Sequence, residues 1–127
     1  MSMLSEISVI DDDASVRAAM ENLLSSHGYV VHTFASAEEF LRSTHLHNSS
    51  CVVADVQMPG MSGLDLLTHL HAHGHNAPFV FITAFPEDSV RDRALKAGAI
   101  GFLAKPFAAP DLIKYVETAA RRSRTGS

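Results

Sequence analysis

The stretch from Cys51 to Asp55, with the sequence CVVAD, constrains the fold more than any other part of the chain. Four apolar residues follow one another without polar alternation, which is typical of a strand buried on both faces, as in the middle of a parallel sheet. In open α/β sheets, ligands bind at the carboxyl ends of the strands. Asp55 therefore either lies where chemistry takes place or only ends the strand and hydrogen-bonds the turn that follows.

The composition of the chain is that of one globular domain. It has 127 residues, of which 46% are apolar and 19% are charged, so it can bury a core. The formal net charge of −4 gives no sign of nucleic-acid or membrane binding, and no segment approaches the roughly 18 apolar residues of a membrane span. The N-terminus lacks the pattern of a signal peptide, and the single cysteine, Cys51, falls inside the apolar run. We therefore expect a cytoplasmic protein.

Five predicted strands alternate with five predicted helices. The strands are expected at residues 7–10, 29–34, 51–55, 78–82 and 99–104. Asp13 is suited to cap the first helix, Ser36 and Glu39 form a capping box before the second, and Ser62 opens a further helix. The last helix is expected at residues 109–122. Because βαβ crossovers are right-handed, all five strand ends should meet at one edge of the sheet.

Reactive side chains follow four of the five predicted strands. Asp11 and Asp12 follow the first strand, Asp55 ends the third, and Thr83 and Lys105 follow the fourth and fifth. Three unpaired carboxylates at one site would repel one another, and a divalent cation removes that repulsion. Mg²⁺ prefers carboxylate, water and phosphate oxygens as ligands. The acidic cluster together with the lysine therefore implies Mg²⁺ and a phosphoryl group between them.

The ordered set of motifs resembles the receiver domain of bacterial two-component response regulators. The resemblance rests on the acidic pair Asp11-Asp12, on Asp55 with the MPGMSG stretch of residues 58–63, on Thr83-Ala84, and on the AGA and KPF stretches of residues 97–99 and 105–107. It covers residues 7–122 and implies a flavodoxin-like (βα)5 fold, a doubly wound parallel α/β sheet with strand order 2-1-3-4-5. The receiver domain would occupy residues 1–122, and residues 123–127 would be a C-terminal tail or the start of a linker.

The resemblance also implies a role for each matching residue. Asp55 is the expected phosphoacceptor, which takes a phosphoryl group from a sensor histidine kinase. Asp12 is the expected acidic ligand of Mg²⁺, with Asp11 acting mostly through water, and Asp55 and the backbone carbonyl of Gln57 complete the protein's share of the metal shell. Lys105 would pair with the phosphoryl oxygens, and its peptide bond to the following proline is often cis in the family.

Thr83 and Phe102 match the pair of residues that responds to phosphorylation in this family. Thr83 would move to hydrogen-bond the phosphoryl group, and the ring of Phe102 would turn inward. The face formed by helix 4, strand 5 and helix 5 would then act on an output domain or a downstream protein to control transcription. The domain itself would be a switch and not an enzyme, although it would dephosphorylate itself slowly. It would form a homodimer on phosphorylation and would bind neither nucleic acid nor a membrane.

Three other functions remain open. A haloacid-dehalogenase-like phosphatase also uses an aspartyl phosphate and Mg²⁺, but it needs an Asp-x-Asp pattern after the first strand, whereas Asp55 follows the third. A flavodoxin needs a phosphate loop rich in hydroxyls and glycine after the first strand, where this chain has three aspartates. The complete set of site residues disfavours a receiver-like interaction module that never accepts phosphate, and a labelling assay is needed to exclude it.

Purely structural roles are the simpler interpretation of several of these residues. Asp11 to Asp13 could serve only as helix caps, Lys105 could be a surface lysine, Thr83 could only pack at a strand end, and Phe102 could be a plain core residue.

The sequence is also rich in histidine near the end of the third predicted helix. The residues concerned are His69, His71, His73 and His75. They are expected on an exposed helix face. His69 and His73 have the i, i+4 spacing that can bind Zn²⁺ adventitiously.

Overall fold

A parallel β-sheet forms the centre of the molecule. The computed structural model of the chain describes residues 5–126, with the side chains of residues 5–122. The strands are β1 (Glu6–Ile10), β2 (Val30–Phe34), β3 (Cys51–Asp55), β4 (Phe79–Thr83) and β5 (Gly101–Ala104). The helices are α1 (Ala14–Ser26), α2 (Ala37–Leu41), α3 (Gly63–Ala72), α4 (Asp88–Lys96) and α5 (Ala109–Gly126), and a short 3₁₀ helix (Thr44–His47) precedes β3.

The strands lie in the order β2-β1-β3-β4-β5, and every neighbouring pair is parallel. This confirms the predicted flavodoxin-like (βα)5 fold and its strand order. All five residues of β3 are buried, as expected for the central strand of a sheet covered on both faces. Because parallel strands run in one direction, the carboxyl ends of all five lie at the same edge.

The sheet separates two hydrophobic cores, and alternate residues of each strand enter opposite ones. On β3, Val52 and Ala54 pack with residues of α2, α3 and α4, whereas Cys51 and Val53 pack with residues of α1 and α5. Full burial of an apolar side chain of the size of Val or Leu stabilises a fold by about 1.5–3 kcal/mol. The two cores therefore hold β3 from both sides and fix the position of its last residue, Asp55.

The helix starts follow the predicted capping chemistry with one difference. The N-cap side chains that accept backbone hydrogen bonds at α1, α2 and α3 are Asp13, Ser36 and Ser62. In a capping box the glutamate side chain returns to the backbone N–H of the cap residue itself. Here Glu39 instead accepts a hydrogen bond from the backbone N–H of Ala35, at 3.2 Å. The capping box is therefore shifted by one residue from the predicted form.

The last helix extends beyond its predicted end. The structure continues α5 to Gly126, so the predicted end at Arg122 is too early, and Ser127 lies outside the described residues. The buried face of α5 contains Leu112, Val116 and Ala119, as the sequence pattern predicts. Among the helices within residues 5–126, none has both the length and the apolar character needed to cross a bilayer.

Cys51 should be unreactive as long as the domain is folded. Its side chain is fully buried, and that burial raises the pKa of the thiol to about 12. Since the thiolate is the reactive form, we expect iodoacetamide to modify native protein at least about a hundredfold more slowly than protein unfolded in urea. Mass spectrometry over time measures both rates. Prompt modification of the native protein would contradict the described position of Cys51.

Candidate functional site

Four strand ends meet at the carboxyl edge of the sheet. Asp11 directly follows β1, Asp55 ends β3, Thr83 ends β4, and Lys105 directly follows β5. The strand order makes these four strands neighbours and leaves β2 at the outer edge, next to β1 only. The arrangement brings together side chains that are far apart in the chain.

Lys105 connects the two buried aspartates of this edge. Its Nζ atom donates hydrogen bonds to Oδ2 of Asp55 at 2.8 Å and to Oδ2 of Asp11 at 2.9 Å. Asp11 is 0% exposed and Asp55 is 6% exposed. Burial alone disfavours the ammonium group, but the hydrogen bonds to Asp55 and Asp11 outweigh it and hold the pKa of Lys105 above its usual value. Lys105 is therefore an ammonium at neutral pH. Its hydrogen bonds to two buried carboxylates distinguish it from a solvated surface lysine.

Backbone amides hold the remaining oxygens of the two aspartates. Oδ1 of Asp55 accepts a hydrogen bond from the N–H of Gln57 at 2.9 Å, and Oδ1 of Asp11 accepts one from the N–H of Asp13 at 2.9 Å. Asp12, between Asp11 and Asp13, is exposed. These contacts fix the orientation of both buried carboxylates before any ligand arrives.

The acidic residues fit a magnesium site. One carboxylate oxygen from each of Asp11, Asp12 and Asp55 can be chosen so that all three lie within 4.8 Å of one another. Oxygen donors alone, with no nitrogen or sulfur among them, match the preference of Mg²⁺. Both oxygens of Asp11 and both oxygens of Asp55 already accept hydrogen bonds from the protein, so the exposed carboxylate of Asp12 is the freer ligand. The metal-binding roles assigned to these residues and to the carbonyl of Gln57 stay predictions.

Two glycines shape the loop that follows Asp55. Gly60 has a φ of 78°, which side chains other than glycine rarely allow. Gly63 begins α3 directly against β3, and a Cβ atom there would clash with the backbone carbonyl of Asp55 and lie 2.9 Å from the ring of Phe81. The glycines of the MPGMSG stretch therefore let the loop turn sharply and let α3 start close to Asp55.

Glu38 contacts this loop from outside it, and the sequence did not reveal that contact. Its Oε2 atom accepts a hydrogen bond from the backbone N–H of Met61 at 3.0 Å, and this bond lowers the pKa of the Glu38 carboxyl. Glu38 belongs to α2, so it ties that helix to the loop after Asp55. No local motif signals a contact between residues so distant in sequence. In the sequence Glu38 is only one of two acidic residues at a helix start.

The two predicted switch residues lie on neighbouring strands. Thr83 is buried, and its Oγ1 accepts a hydrogen bond from the backbone N–H of Phe85 at 3.0 Å. Phe102 is half-buried on β5, where it pairs with Phe81 of β4 and packs against the core on the α4 side. The peptide bond between Lys105 and its following proline is cis, as the resemblance implies. The switching roles of Thr83 and Phe102 stay predictions.

The histidines in and just after α3 do not assemble a site with three ligands among the described residues. The rings of His69 and His73 lie 4.3 Å apart, and Nδ1 of His73 is hydrogen-bonded to the carbonyl of His69 at 2.8 Å. Within residues 5–122, groups of three or more potential metal ligands occur in two places. One is the acidic cluster, and the other consists of Glu6, His32 and His45.

The domain is a doubly wound (βα)5 sheet with an acidic cluster and a lysine at the carboxyl ends of its strands. This combination defines a receiver-type signalling domain. The chain belongs to the response regulator receiver domain family, which matches residues 7–117. This confirms the resemblance inferred from the motifs and assigns the chain to two-component signalling, whose receiver domains act as switches and not as ordinary enzymes. Receiver domains generally bind Mg²⁺ at an acidic pocket, and this chain has a cluster of three aspartates at the carboxyl edge of its sheet.

Several proteins similar to this chain are named as regulatory proteins or receiver domains. Nodulation protein W of Bradyrhizobium diazoefficiens is 42% identical over 116 residues, covering 91% of this chain and 51% of that protein. The transcriptional regulatory protein FixJ of the same organism is 37% identical over 123 residues, covering 97% and 60%. A response regulator receiver domain from Clostridium thermocellum superposes with a TM-score of 0.90 at 28% identity, covering 98% of this chain and 100% of that one. The chain spans about half the length of the curated relatives it matches.

Proposed function

We propose that this domain is the phosphoacceptor switch of a two-component phosphorelay and that Asp55 receives the phosphoryl group from a sensor histidine kinase. The observation that carries the proposal is that the carboxylate of Asp55 lies beside the ammonium of Lys105 and close to two further carboxylates. Its Oδ2 lies 2.8 Å from Nζ of Lys105, and its carboxylate lies within 4.8 Å of those of Asp11 and Asp12. A strand-end aspartate with only a turn to stabilise would need neither the lysine nor the acidic neighbours.

The chemistry follows from charge and position. Phosphoryl transfer depends on orientation and electrostatic stabilisation more than on covalent help from the protein. An oxygen of Asp55 forms the new bond to phosphorus as the bond from phosphorus to the kinase histidine breaks. The ammonium of Lys105 neutralises the phosphoryl oxygens, and the N–H of Gln57 keeps the acceptor carboxylate oriented. Asp11, Asp12, Asp55 and the backbone carbonyl of Gln57 would hold Mg²⁺, which supplies further charge neutralisation.

The response to phosphorylation would begin at Thr83. In the unphosphorylated structure its Oγ1 accepts a hydrogen bond from the backbone N–H of Phe85, and on phosphorylation its O–H would donate to a phosphoryl oxygen. Movement of the β4–α4 loop frees the space beside Phe102, whose ring then turns inward. A charged group added at one edge thereby biases a two-state element on the face formed by α4, β5 and α5. Phe102 has no hydroxyl to anchor its outward position.

The wider role rests on the relatives, which are longer than this chain. We propose that a receiver domain at residues 1–122 is joined through residues 123–127 to an output domain, or acts on a separate protein, and so controls transcription. The proposal includes homodimer formation on phosphorylation, slow self-dephosphorylation, and no direct contact of this domain with nucleic acid. Relatives named as transcriptional regulatory proteins support this assignment.

The test is incubation of the protein with acetyl phosphate and Mg²⁺, followed by intact-mass measurement and peptide mapping. We expect the mass of one phosphoryl group to be added at Asp55. A chain that takes up no phosphoryl group would instead be a receiver-like interaction module. Rapid turnover of a general phosphate ester would favour the phosphatase alternative.

Mg²⁺ should stabilise the folded domain. It binds the aspartate cluster only when the ends of β1 and β3 are assembled, so a concentration tenfold above the dissociation constant adds about 1.4 kcal/mol to the free energy of unfolding. We expect the melting temperature to rise by several degrees in millimolar Mg²⁺. The control is Asp12→Asn, which removes an exposed ligand without disturbing the core and should reduce the rise. Identical melting curves of the wild-type protein with and without Mg²⁺ would contradict the site.

A further inference from the structure

A second group of ligand-type side chains lies at the other end of β1. Glu6 begins β1, His32 lies in the middle of β2, and His45 belongs to the 3₁₀ helix Thr44–His47. One carboxylate oxygen and one ring nitrogen from each histidine lie within 4.8 Å of one another. Asp11 directly follows β1, so Glu6 is roughly 17 Å from the acidic edge at the rise of an extended strand. The proposed phosphoryl chemistry uses none of these three residues.

The distances within this group are short. Oε1 of Glu6 lies 3.0 Å from Nε2 of His32 and 3.8 Å from Nδ1 of His45. The two imidazole rings are stacked, with centroids 3.5 Å apart and planes inclined by 13°. A single carboxylate oxygen thus faces a nitrogen of each ring.

We propose that Glu6, His32 and His45 form a binding site for one divalent transition-metal ion, with Zn²⁺ as the best match. Two imidazole nitrogens and one carboxylate oxygen are a common set of zinc ligands, and a fourth position stays open for water. Ligand atoms about 2.0–2.1 Å from a tetrahedral ion are separated by about 3.3 Å, which lies between the two observed distances. Imidazole ligands favour transition metals over Mg²⁺, so the site is chemically distinct from the aspartate cluster.

The surrounding structure holds the ligands close before any metal binds. The backbone N–H of His45 donates to Ser43 at 2.9 Å, and its carbonyl accepts from the hydroxyl of Ser49 at 3.0 Å. Ser49 in turn hydrogen-bonds Ser8 of β1 at 2.6 Å. The segment that carries His45 is therefore fastened to the strand that carries Glu6, so little backbone rearrangement is needed.

One adjustment is required for coordination. A metal ion lies in the plane of each imidazole ring that binds it. The two stacked rings lie in nearly parallel, separate planes, so one ion cannot lie in both. One ring must therefore tilt, and His45 is free to do so because 38% of its side-chain surface is exposed. The His32 side chain is less exposed, at 24%, and sits on a strand of the sheet. Bound metal would connect β1, β2 and the segment before β3.

The test is a calorimetric titration of untagged, chelator-treated protein with Zn²⁺ in the presence of excess Mg²⁺. We expect one tight equivalent, and we expect Glu6→Gln or His45→Gln to weaken it at least about tenfold, since even changes outside the ligand shell cost that much. The matched control is the double variant His69→Gln and His73→Gln, which removes two histidines at the end of α3 and should bind as the wild-type protein does. Unchanged affinity in the Glu6 and His45 variants, or loss of binding in the control, overturns the proposal.

A measurement on the wild-type chain makes the test independent of how well the variants fold. Proton NMR of the imidazole rings should show that the first equivalent of Zn²⁺ shifts the signals of His32 and His45. Shifts confined to His69, His73 or other histidines would place the metal elsewhere and refute the site. Circular dichroism of each variant in the presence of chelator shows whether it retains the fold.

Discussion

Replacing Asp55 with asparagine should reduce phosphoryl incorporation from acetyl phosphate to the background level. The neutral amide has no anionic oxygen with which to attack phosphorus, whereas in the wild-type chain the Asp55 carboxylate lies 2.8 Å from Nζ of Lys105. The new amide oxygen can still accept the hydrogen bond that the N–H of Gln57 donates, so the loop after β3 should keep its shape. The loss is therefore expected to be chemical and not a consequence of unfolding.

The experiment compares three proteins by intact mass after the same incubation with phosphodonor and Mg²⁺. The wild-type chain should gain one phosphoryl group and Asp55→Asn none. Asp65→Asn makes the same chemical change at an exposed position on α3 and should be labelled as fully as the wild type. Full labelling of Asp55→Asn at another residue would refute the assignment of the acceptor.

The fold could be predicted because its strongest determinants are local. The apolar run that ends on Asp55 identifies a strand buried on both faces, and the capping residues of three helices mark where the chain leaves the sheet. The handedness of the crossovers then brings the strand ends together. Asp11 and Lys105 could be placed at one edge on these grounds, although 94 positions separate them in the chain.

Contacts that depend on packing between elements could not be predicted. The bond from Glu38 to the backbone of Met61 requires a particular approach of α2 to the loop after Asp55. The meeting of Glu6 with His32 depends on the register of β1 and β2, in which Ser8 and not Glu6 is paired with His32. The sequence directed attention to the clustered histidines of α3, whereas the structure assembles ligands from three separate segments.

Replacing Lys105 with methionine should destabilise the domain by about 2–4 kcal/mol at neutral pH, because two buried carboxylates would lose their common cation. This estimate extends below the usual cost of about 3–5 kcal/mol for breaking a buried pair, because 20% of the Lys105 side chain reaches solvent. Urea unfolding measures the change. Lys114→Met, at an exposed position on α5, should change stability by less than about 0.5 kcal/mol.

The pH dependence of this stabilisation has a definite sign. The folded pKa of Lys105 lies above its unfolded value of about 10.4, so the contribution is complete below that pH and is lost as the pH rises through the folded pKa. The wild-type protein and Lys105→Met should therefore differ by a constant amount between neutral pH and about pH 9. A difference that grew or vanished within this range would mean that a group other than the lysine ammonium is responsible.

A double-variant cycle separates the ion pair from general packing. In the Asp55→Asn background only Asp11 still depends on Lys105 for charge compensation, so Lys105→Met should cost less there than in the wild-type chain. Equal costs in the two backgrounds would show that Asp55 and Lys105 do not interact in solution. Since the proposed transfer needs the ammonium beside the acceptor oxygen, the same result would remove the electrostatic basis of the phosphoacceptor assignment, even if the fold were unchanged.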